Sequence, residues 1–247
     1  MKIVDKIKSL FVSNTHPFTS AIIVAGGNGS RMASDIPKQH MQINGIEIVA
    51  RTLLAFEHCD LIDEIIVVCR EGENEIYEGY NQTYGITKLA RTVCGGATRQ
   101  DSVLCGFEAT DKKCKFVAIH DAARCLIDTS DIESTVRAAY KYRAATAAIK
   151  AYDTIKLADE NGFISKTIDR DKIYLAATPQ VFRHDLYMTA AYSAKKDGAV
   201  VTDDNALAER LGFKVKLVAC EHPNLKITTQ HEMEITKAII DSKTRGK

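Results

Sequence analysis

The stretch AIIVAGGNGSRM, residues 21–32, decides the fold. Ala21 to Ala25 is a short unbroken apolar run rich in β-branched residues, the pattern of a strand buried on both faces. It passes directly into Gly26-Gly27-Asn28-Gly29-Ser30-Arg31-Met32. Glycines placed just after a strand let backbone N–H groups approach a phosphate closely. A dinucleotide fingerprint would need a third glycine where Met32 stands, and a Walker A loop would need Gly-Lys-Ser/Thr, which is absent. Taken alone the loop is either a phosphate cradle of another type or a plain glycine turn.

Outward from this stretch the same kind of run recurs. Glu64–Cys69, Arg91–Cys94, Phe116–His120, Thr146–Lys150 and Lys214–Val218 read as strands. Between them, Ile46, Val49, Leu53 and Phe56 have helical spacing, as do Val103 with Phe107 and the stretch from Ile132 to Tyr140. Ser130 and Glu133 form a capping-box pattern for the last of these. Asp203–Leu211 reads as a short helix, and Thr229 with Glu232 caps a final helix ending near Ile240. Alternating strands and helices predict an α/β fold, a Rossmann-like, mostly parallel sheet covered by helices. Ligands of such sheets gather beyond the carboxyl ends of the strands.

Asp153–Arg170 breaks the alternation: two extended runs flank Glu160-Asn161-Gly162, and Asn-Gly is a strong hairpin turn. The reading is a β-arm at about 152–172 that leaves the main sheet. A two-stranded arm is marginal alone in water, so a second subunit is expected to cover it. Residues 20–243 are read as the domain that carries this arm, and 1–19 as an N-terminal extension. The spacing of Ile3, Val4, Ile7, Leu10 and Phe11 in the extension suits a short amphipathic helix.

The 247 residues carry a net charge of +1, which argues against a broad nucleic-acid surface. The seven cysteines are odd in number and include no C-x-x-C pair, so neither a disulfide framework nor a zinc site is expected and a reducing cytoplasm is the simple setting. No apolar stretch approaches the roughly 18 residues of a membrane span.

The chemistry-bearing residues follow the strands. Arg31 and the Pro37-Lys38-Gln39 triplet add two cations to the glycine loop, which suits a triphosphate whose charge must be neutralised before an anion can attack it. Gly95-Gly96-Ala97-Thr98-Arg99-Gln100-Asp101-Ser102 follows another strand and opens a helix. In His120-Asp121-Ala122-Ala123-Arg124, Asp121 would project past the end of a central strand, where a single carboxylate suits Mg²⁺. Alternatively, Asp121 caps a helix and pairs with Arg124. His120 is read as a structural residue at the strand end.

These motifs, followed by Asp153-Thr154-Ile155-Lys156, Thr167 with Asp169-Arg170, Thr178-Pro179-Gln180, Thr202-Asp203-Asp204 and Asn224-Leu225-Lys226-Ile227-Thr228, occur in the order seen in the 2-C-methyl-D-erythritol 4-phosphate cytidylyltransferases, which the chain resembles over about residues 20–240. The resemblance implies a cytidylyltransferase that moves CMP from CTP to a polyol phosphate. It implies CTP wrapped by Ala25, Gly26, Gly27, Asn28, Gly29 and Arg31, with Gly96, Arg99 and Ser102 around the cytidine. Arg31, Lys38 and Lys226 would neutralise phosphates. Asp121 would hold Mg²⁺ and, with Arg124 and Thr178, face the acceptor. Thr154 and Arg170 on the arm would reach the acceptor in the partner of a homodimer. The related ribitol-5-phosphate cytidylyltransferases share the nucleotide half; Ala123 and Thr167–Arg170 favour the first family. A nucleotide-binding paralogue without turnover is the alternative of a different class, and the intact Arg31, Lys38, Asp121 and Lys226 speak against it. Cys125, His40, Ala177 and Ala97 depart from the family pattern and bear mainly on the acceptor.

Overall fold

The computed structural model describes residues 16–27 and 36–245. In chain order its elements are β1 (Thr19–Val24), a 3-10 turn (Lys38–His40), the ribbon β2 (Gln42–Ile43) and β3 (Ile46–Glu47), α1 (Ile48–Glu57), β4 (Glu64–Cys69), α2 (Asn74–Glu78), α3 (Tyr80–Tyr84) and β5 (Leu89–Cys94). Then come α4 (Arg99–Glu108), β6 (Phe116–Asp121), α5 (Thr129–Tyr142), β7 (Ala144–Lys150), β8 (Ile155–Ala158), β9 (Ile164–Ile168), β10 (Tyr174–Arg183), α6 (His184–Lys196), α7 (Asp204–Arg210), β11 (Lys216–Ala219) and α8 (Gln230–Arg245).

Seven strands form one sheet in the order β11-β7-β10-β6-β1-β4-β5. β10 runs antiparallel to both neighbours, and the other adjacent pairs are parallel. The alternation of side chains along β1 feeds two cores. Ile23 packs with Ile65, Val67, Val49, Leu53, Phe56 and Val136 on one face. Ile22 packs with Val68, Val103, Phe107, Val117 and Tyr187 on the other. Helix α4 lies so close to this second face that a Cβ on Gly106 would stand 2.5 Å from Ile22 Cγ2 and 2.7 Å from Val68 Cγ2. Glycine is the residue that lets this helix, whose N-terminus opens at the carboxyl end of β5, approach the sheet.

Two of the longer elements were not expected. β10 contains Pro179, and proline inside an apolar run argues against a central strand. The ladder to β7 slips between Ala176 and Gln180, so the proline sits in an irregularity where no ladder N–H is required. Helix α6 buries Leu186, Tyr187, Ala190, Ala191 and Ala194. Three of these five are alanines, which give a helical face little hydrophobic contrast. The capping-box reading at Ser130 is also corrected: the N-cap is Asp128, whose carboxylate accepts from the Ser130 N–H at 3.0 Å. An acidic residue two positions earlier thus satisfies the exposed donor first, and Ser130 falls inside the first turn. At the other end of the chain, Glu232 accepts from the Thr228 and Thr229 backbone and hydroxyls, so α8 does begin at that pair, but it runs on to Arg245.

The arm is a hairpin separate from the main sheet: β8 and β9 pair antiparallel, and Gly162 takes φ +84° in the connection. Tyr152, Leu157, Phe163 and Ile164 are each more than half exposed on it. The N-terminal amphipathic segment lies outside the described residues.

Candidate active site

The carboxyl ends of β1, β4, β5 and β6 open into one cavity of about 490 Å³, within the range that small ligands occupy. β1 delivers Ala25, Gly26 and Gly27 to its wall, β5 delivers Gly95 and Gly96, and β6 delivers Asp121, Ala122 and Ala123. Lys38, Arg99, Ser102 and Lys226 complete the predicted set found there. Asn28, Gly29 and Arg31 lie outside the described residues.

The second glycine turn has a steric reason. A Cβ on Gly96 would stand 2.4 Å from Asp101 Cβ, because the first turn of α4 folds back against it. That turn is fixed by a capping box in which the Thr98 hydroxyl accepts from Asp101 N–H at 3.1 Å and Asp101 accepts from Thr98 N–H at 3.2 Å. Ser102 donates to Thr98 O at 2.8 Å and accepts from Gly96 N–H at 3.1 Å, so its hydroxyl shapes the loop.

At the centre stands Asp121, with Arg99 Nε 3.2 Å from Oδ1, Lys226 Nζ 2.7 Å from Oδ2 and Arg124 Nε 3.7 Å from Oδ2. Burial alone would push this carboxyl up. Arg99, then Lys226 and Arg124, overcome that and hold it well below the usual carboxylate range. Lys38 donates to Ile227 O at 3.1 Å, which brings a lysine from the first quarter of the chain beside one from the last. Gln39 also lines the cavity, and its buried Nε2 has no hydrogen-bond partner.

Thr178 lies beneath the cavity rather than in it. It is buried, and its hydroxyl accepts from the Asp121 N–H at 3.1 Å. His120 Nε2 faces only an acceptor, Arg124 O at 3.4 Å, so it carries the proton, and Nδ1 accepts from the Thr178 hydroxyl at 3.0 Å. His120 is fully buried against Phe56 and burial pushes it down to about 3. Both nitrogens are occupied, which places it as a support for Asp121. The unfolded imidazole gains a proton below its ordinary 6.5 while the folded one stays neutral to about 3. Its stabilisation is therefore complete above pH 6.5 and declines by about 1.4 kcal/mol per pH unit below it. Urea unfolding is expected to show a loss of about 2 kcal/mol between pH 7 and pH 5 that is much smaller in His120→Asn; equal slopes would show that His120 does not set the acid limit.

Thr154 and Arg170 do not line the cavity. Both are exposed on the arm, and Arg170 donates to Tyr152 O at 2.6 Å. The sequence reading missed Arg70 and Glu71, which line the wall; Arg70 donates to Gly27 O at 2.6 Å. Their position just past β4 is the signal that could have found them. Of the atypical residues, Cys125 is buried with Ile43, Ile48, Ile227 and Met233, and burial pushes its thiol up to about 11. It is an inert apolar filler under the site. His40 stands 3.5 Å from Glu47 and 3.8 Å from Glu73.

A doubly covered, mostly parallel sheet whose strand ends present two glycine turns, lysines and arginines around a central carboxylate defines a nucleotidyltransferase. A model of the 2-C-methyl-D-erythritol 4-phosphate cytidylyltransferase family matches residues 19–242. The chain is 40% identical to the protein of that name from Caldanaerobacter subterraneus subsp. tengcongensis, over 90% of this chain and 98% of that one. It is 37% identical to that from Pelotomaculum thermopropionicum, over 91% and 94%. The solved 4-diphosphocytidyl-2C-methyl-D-erythritol synthase of Anaerococcus prevotii superposes with a TM-score of 0.80 at 31% identity, covering 91% of this chain and 98% of that structure. The Francisella tularensis cytidylyltransferase gives 0.73 at 31%, covering 89% and 98%. The chain belongs to the 2-C-methyl-D-erythritol 4-phosphate cytidylyltransferase family. No helix among the described residues is long and apolar enough to cross a membrane.

Proposed function

We propose that the protein transfers CMP from CTP to 2-C-methyl-D-erythritol 4-phosphate and releases pyrophosphate, a step in isoprenoid precursor synthesis. The observation that carries this reading is a single cavity that gathers both glycine turns, Lys38, Lys226, Arg99 and the central carboxylate of Asp121. The acceptor follows from the names of the relatives at 37–40% identity.

The chemistry suits such a site. An oxygen of the acceptor's phosphate attacks the α-phosphorus of CTP; that P–O bond forms while the bond to the β-phosphate's bridging oxygen breaks. A phosphate monoester is largely dianionic near neutral pH, its second pKa being about 6, so no general base is required. The barrier lies in bringing anions together and in the charge of the departing pyrophosphate, which positioning and fixed cations lower. Lys38 and Lys226, with Arg31, are assigned to the phosphates. The backbone of Ala25, Gly26, Gly27 and the following loop takes the triphosphate, and Gly96, Arg99 and Ser102 take the cytidine side.

The donor set at Asp121 fits Mg²⁺. Mg²⁺ takes one or two protein carboxylates and completes its shell with phosphate and water. Asp121 is held ionised, and no group of three or more His, Cys, Asp or Glu among the described residues could hold a metal by itself. When bound there with nucleotide, the ion would neutralise charge on the triphosphate. Lys226 would then yield part of its hold on Asp121 and turn to phosphate.

The reading includes a homodimer. The arm's exposed apolar side chains need cover, and Thr154 and Arg170, remote from their own cavity wall, are assigned to the acceptor phosphate in the partner's site. Arg170→Ala is expected to raise the acceptor's KM by about 10- to 100-fold, the worth of a charge-assisted hydrogen bond, with a smaller change in kcat. Unchanged acceptor saturation would remove the arm from the site.

The test of the whole reading is pyrophosphate release with CTP and Mg²⁺, offering 2-C-methyl-D-erythritol 4-phosphate and ribitol 5-phosphate in parallel. Strong preference for the first supports it; preference for the second overturns the acceptor. Turnover of neither by a folded protein that binds CTP overturns the transferase reading.

A further inference from the structure

The motif Thr202-Asp203-Asp204 has no part in the site as assigned above, and the structure gives it one. Asp203 is the N-cap of α7 and its carboxylate also accepts from Gln180 Nε2 at 2.9 Å and Asn205 Nδ2 at 2.8 Å. This locks the start of α7 to β10, the strand that also carries Thr178. Asp204, the next residue, is 1% exposed, and its N–H donates to Gln180 Oε1 at 2.9 Å. Its two carboxylate oxygens have separate partners. Oδ2 lies 2.7 Å from Arg99 Nη1, and Oδ1 accepts from the buried Tyr187 hydroxyl at 2.8 Å. The same Arg99 guanidinium presents Nε to Asp121 Oδ1 at 3.2 Å. One planar cation therefore bridges two carboxylates, one in the open cavity and one in the wall behind it, and the shorter contact is to the wall.

We infer that Asp204, itself oriented by Tyr187, is a positioning residue that draws the Arg99 guanidinium toward the wall, limits it to one hydrogen bond on Asp121 and so leaves that carboxylate open to a divalent cation. This rests on the reading of Asp121 as the Mg²⁺ carboxylate. The physical reason is competition for a fork of fixed shape. An arginine without a second partner closes on one carboxylate through two parallel hydrogen bonds, and such a pair at Asp121 would occupy the oxygens that a hard cation needs. With Asp204 present, Arg99 meets Asp121 through Nε alone. Asp204 also supplies the larger share of the carboxylate field that holds Arg99 charged against its burial. Removing that negative charge from the wall further disfavours a cation in the cavity, so both effects act in the same direction. The second effect acts in the opposite direction on a metal-free polyphosphate, which meets a site with one fewer negative charge.

The sign contrast makes the test. Calorimetry measures CTP binding with and without Mg²⁺, and steady-state turnover gives the Mg²⁺ concentration for half-maximal rate, for the wild type, Asp204→Asn and Tyr187→Phe. Losing a direct partner of a metal's ligand typically changes its affinity about 10- to 100-fold, and Asp204, one contact further out, belongs at the lower end of that range. Asp204→Asn is expected to raise the half-maximal Mg²⁺ by about tenfold and to shrink the Mg²⁺-dependent gain in CTP affinity by a similar factor. CTP binding without metal should be unchanged or tighter. Tyr187→Phe keeps the packing of a fully buried ring and loses only the hydrogen bond, so it should show a smaller shift in the same direction even if Asp204→Asn folds poorly. A Tyr187→Phe protein with the wild-type Mg²⁺ requirement overturns the inference. Equal weakening of CTP binding with and without metal also overturns it, because that is the signature of general damage. A wild-type enzyme whose CTP binding and turnover need no divalent cation would overturn the metal reading of Asp121 and this inference together, and that outcome is visible in the wild type alone.

Discussion

Lys38→Ala is expected to reduce kcat by about 10²- to 10³-fold while leaving a folded protein, the usual effect of deleting one group aimed at charge that develops in the transition state. Lys38 sits in the short turn after the first glycine loop, and its ammonium reaches Ile227 O at 3.1 Å, beside Lys226. Two lysines from distant parts of the chain line one cavity. Bringing two ammonium groups toward one cavity disfavours folding by their mutual repulsion, and a polyanion offsets that. Truncating Lys38 removes its hydrogen bond to Ile227 O together with this repulsion, so the melting temperature without ligand should change little. It should reduce the stabilisation that CTP provides, since a ligand stabilises in proportion to its affinity for the folded state. Single-turnover rates and thermal melts with and without CTP check both parts. A folded Lys38→Ala enzyme with near-normal turnover would remove this lysine from the mechanism, and a variant that melts much lower without ligand would recast it as a structural anchor of the Ile227 segment.

How far the site could be read from the sequence depends on how local each interaction is. Gly26, Gly27, Gly95, Gly96 and Asp121 were legible because each directly follows an apolar run that forms a strand, and the carboxyl ends of parallel strands share one edge of the sheet. Lys38 was legible as a cation close after that loop. Arg99 lines the cavity, but the sequence does not show its partners: Asp204 is 105 residues further along, and no periodicity connects the two. Thr178 illustrates a different limit. A hydroxyl beside a motif proline looks available for substrate, yet the sheet folds it beneath Asp121 and assigns it to that residue's backbone and to His120. The hidden elements follow the same logic. α6 shows little contrast because alanines form much of its buried face, and β10 is masked by Pro179, which only the slipped ladder accommodates. The arm, by contrast, was fully local, since Asn161-Gly162 marks its turn and Gly162 takes the positive φ that such a turn demands.

Asp121→Asn should cost turnover about as much as Lys38→Ala, about 10²- to 10³-fold, but with the opposite response to anions. The carboxylate is the counter-ion of Arg99, Lys226 and Arg124 at 3.2, 2.7 and 3.7 Å. An amide of the same shape takes that counter-ion from Lys226 and Arg124 and leaves Arg99 with Asp204 alone. Breaking a buried charge pair by removing one partner typically destabilises by about 3–5 kcal/mol. The effect here should fall below that range, because Arg99 and Lys226 are about one-third exposed and water from the cavity can solvate them. The uncompensated charge makes the emptied cavity a better anion site. Pyrophosphate, or CTP without Mg²⁺, should raise the melting temperature of Asp121→Asn more than that of the wild type, whereas adding Mg²⁺ to CTP should bring little further gain. In the wild type the order is reversed: Mg²⁺ with CTP is expected to stabilise most, because Asp121 would help to hold an ion that offsets charge on the triphosphate. Thermal melts of the two proteins under the four conditions, no ligand, pyrophosphate, CTP and CTP with Mg²⁺, decide the point. If Asp121→Asn responds to Mg²⁺ as the wild type does, Asp121 is not the metal's carboxylate. If pyrophosphate stabilises the two proteins equally, the three cations are not held in check by Asp121 as the geometry indicates.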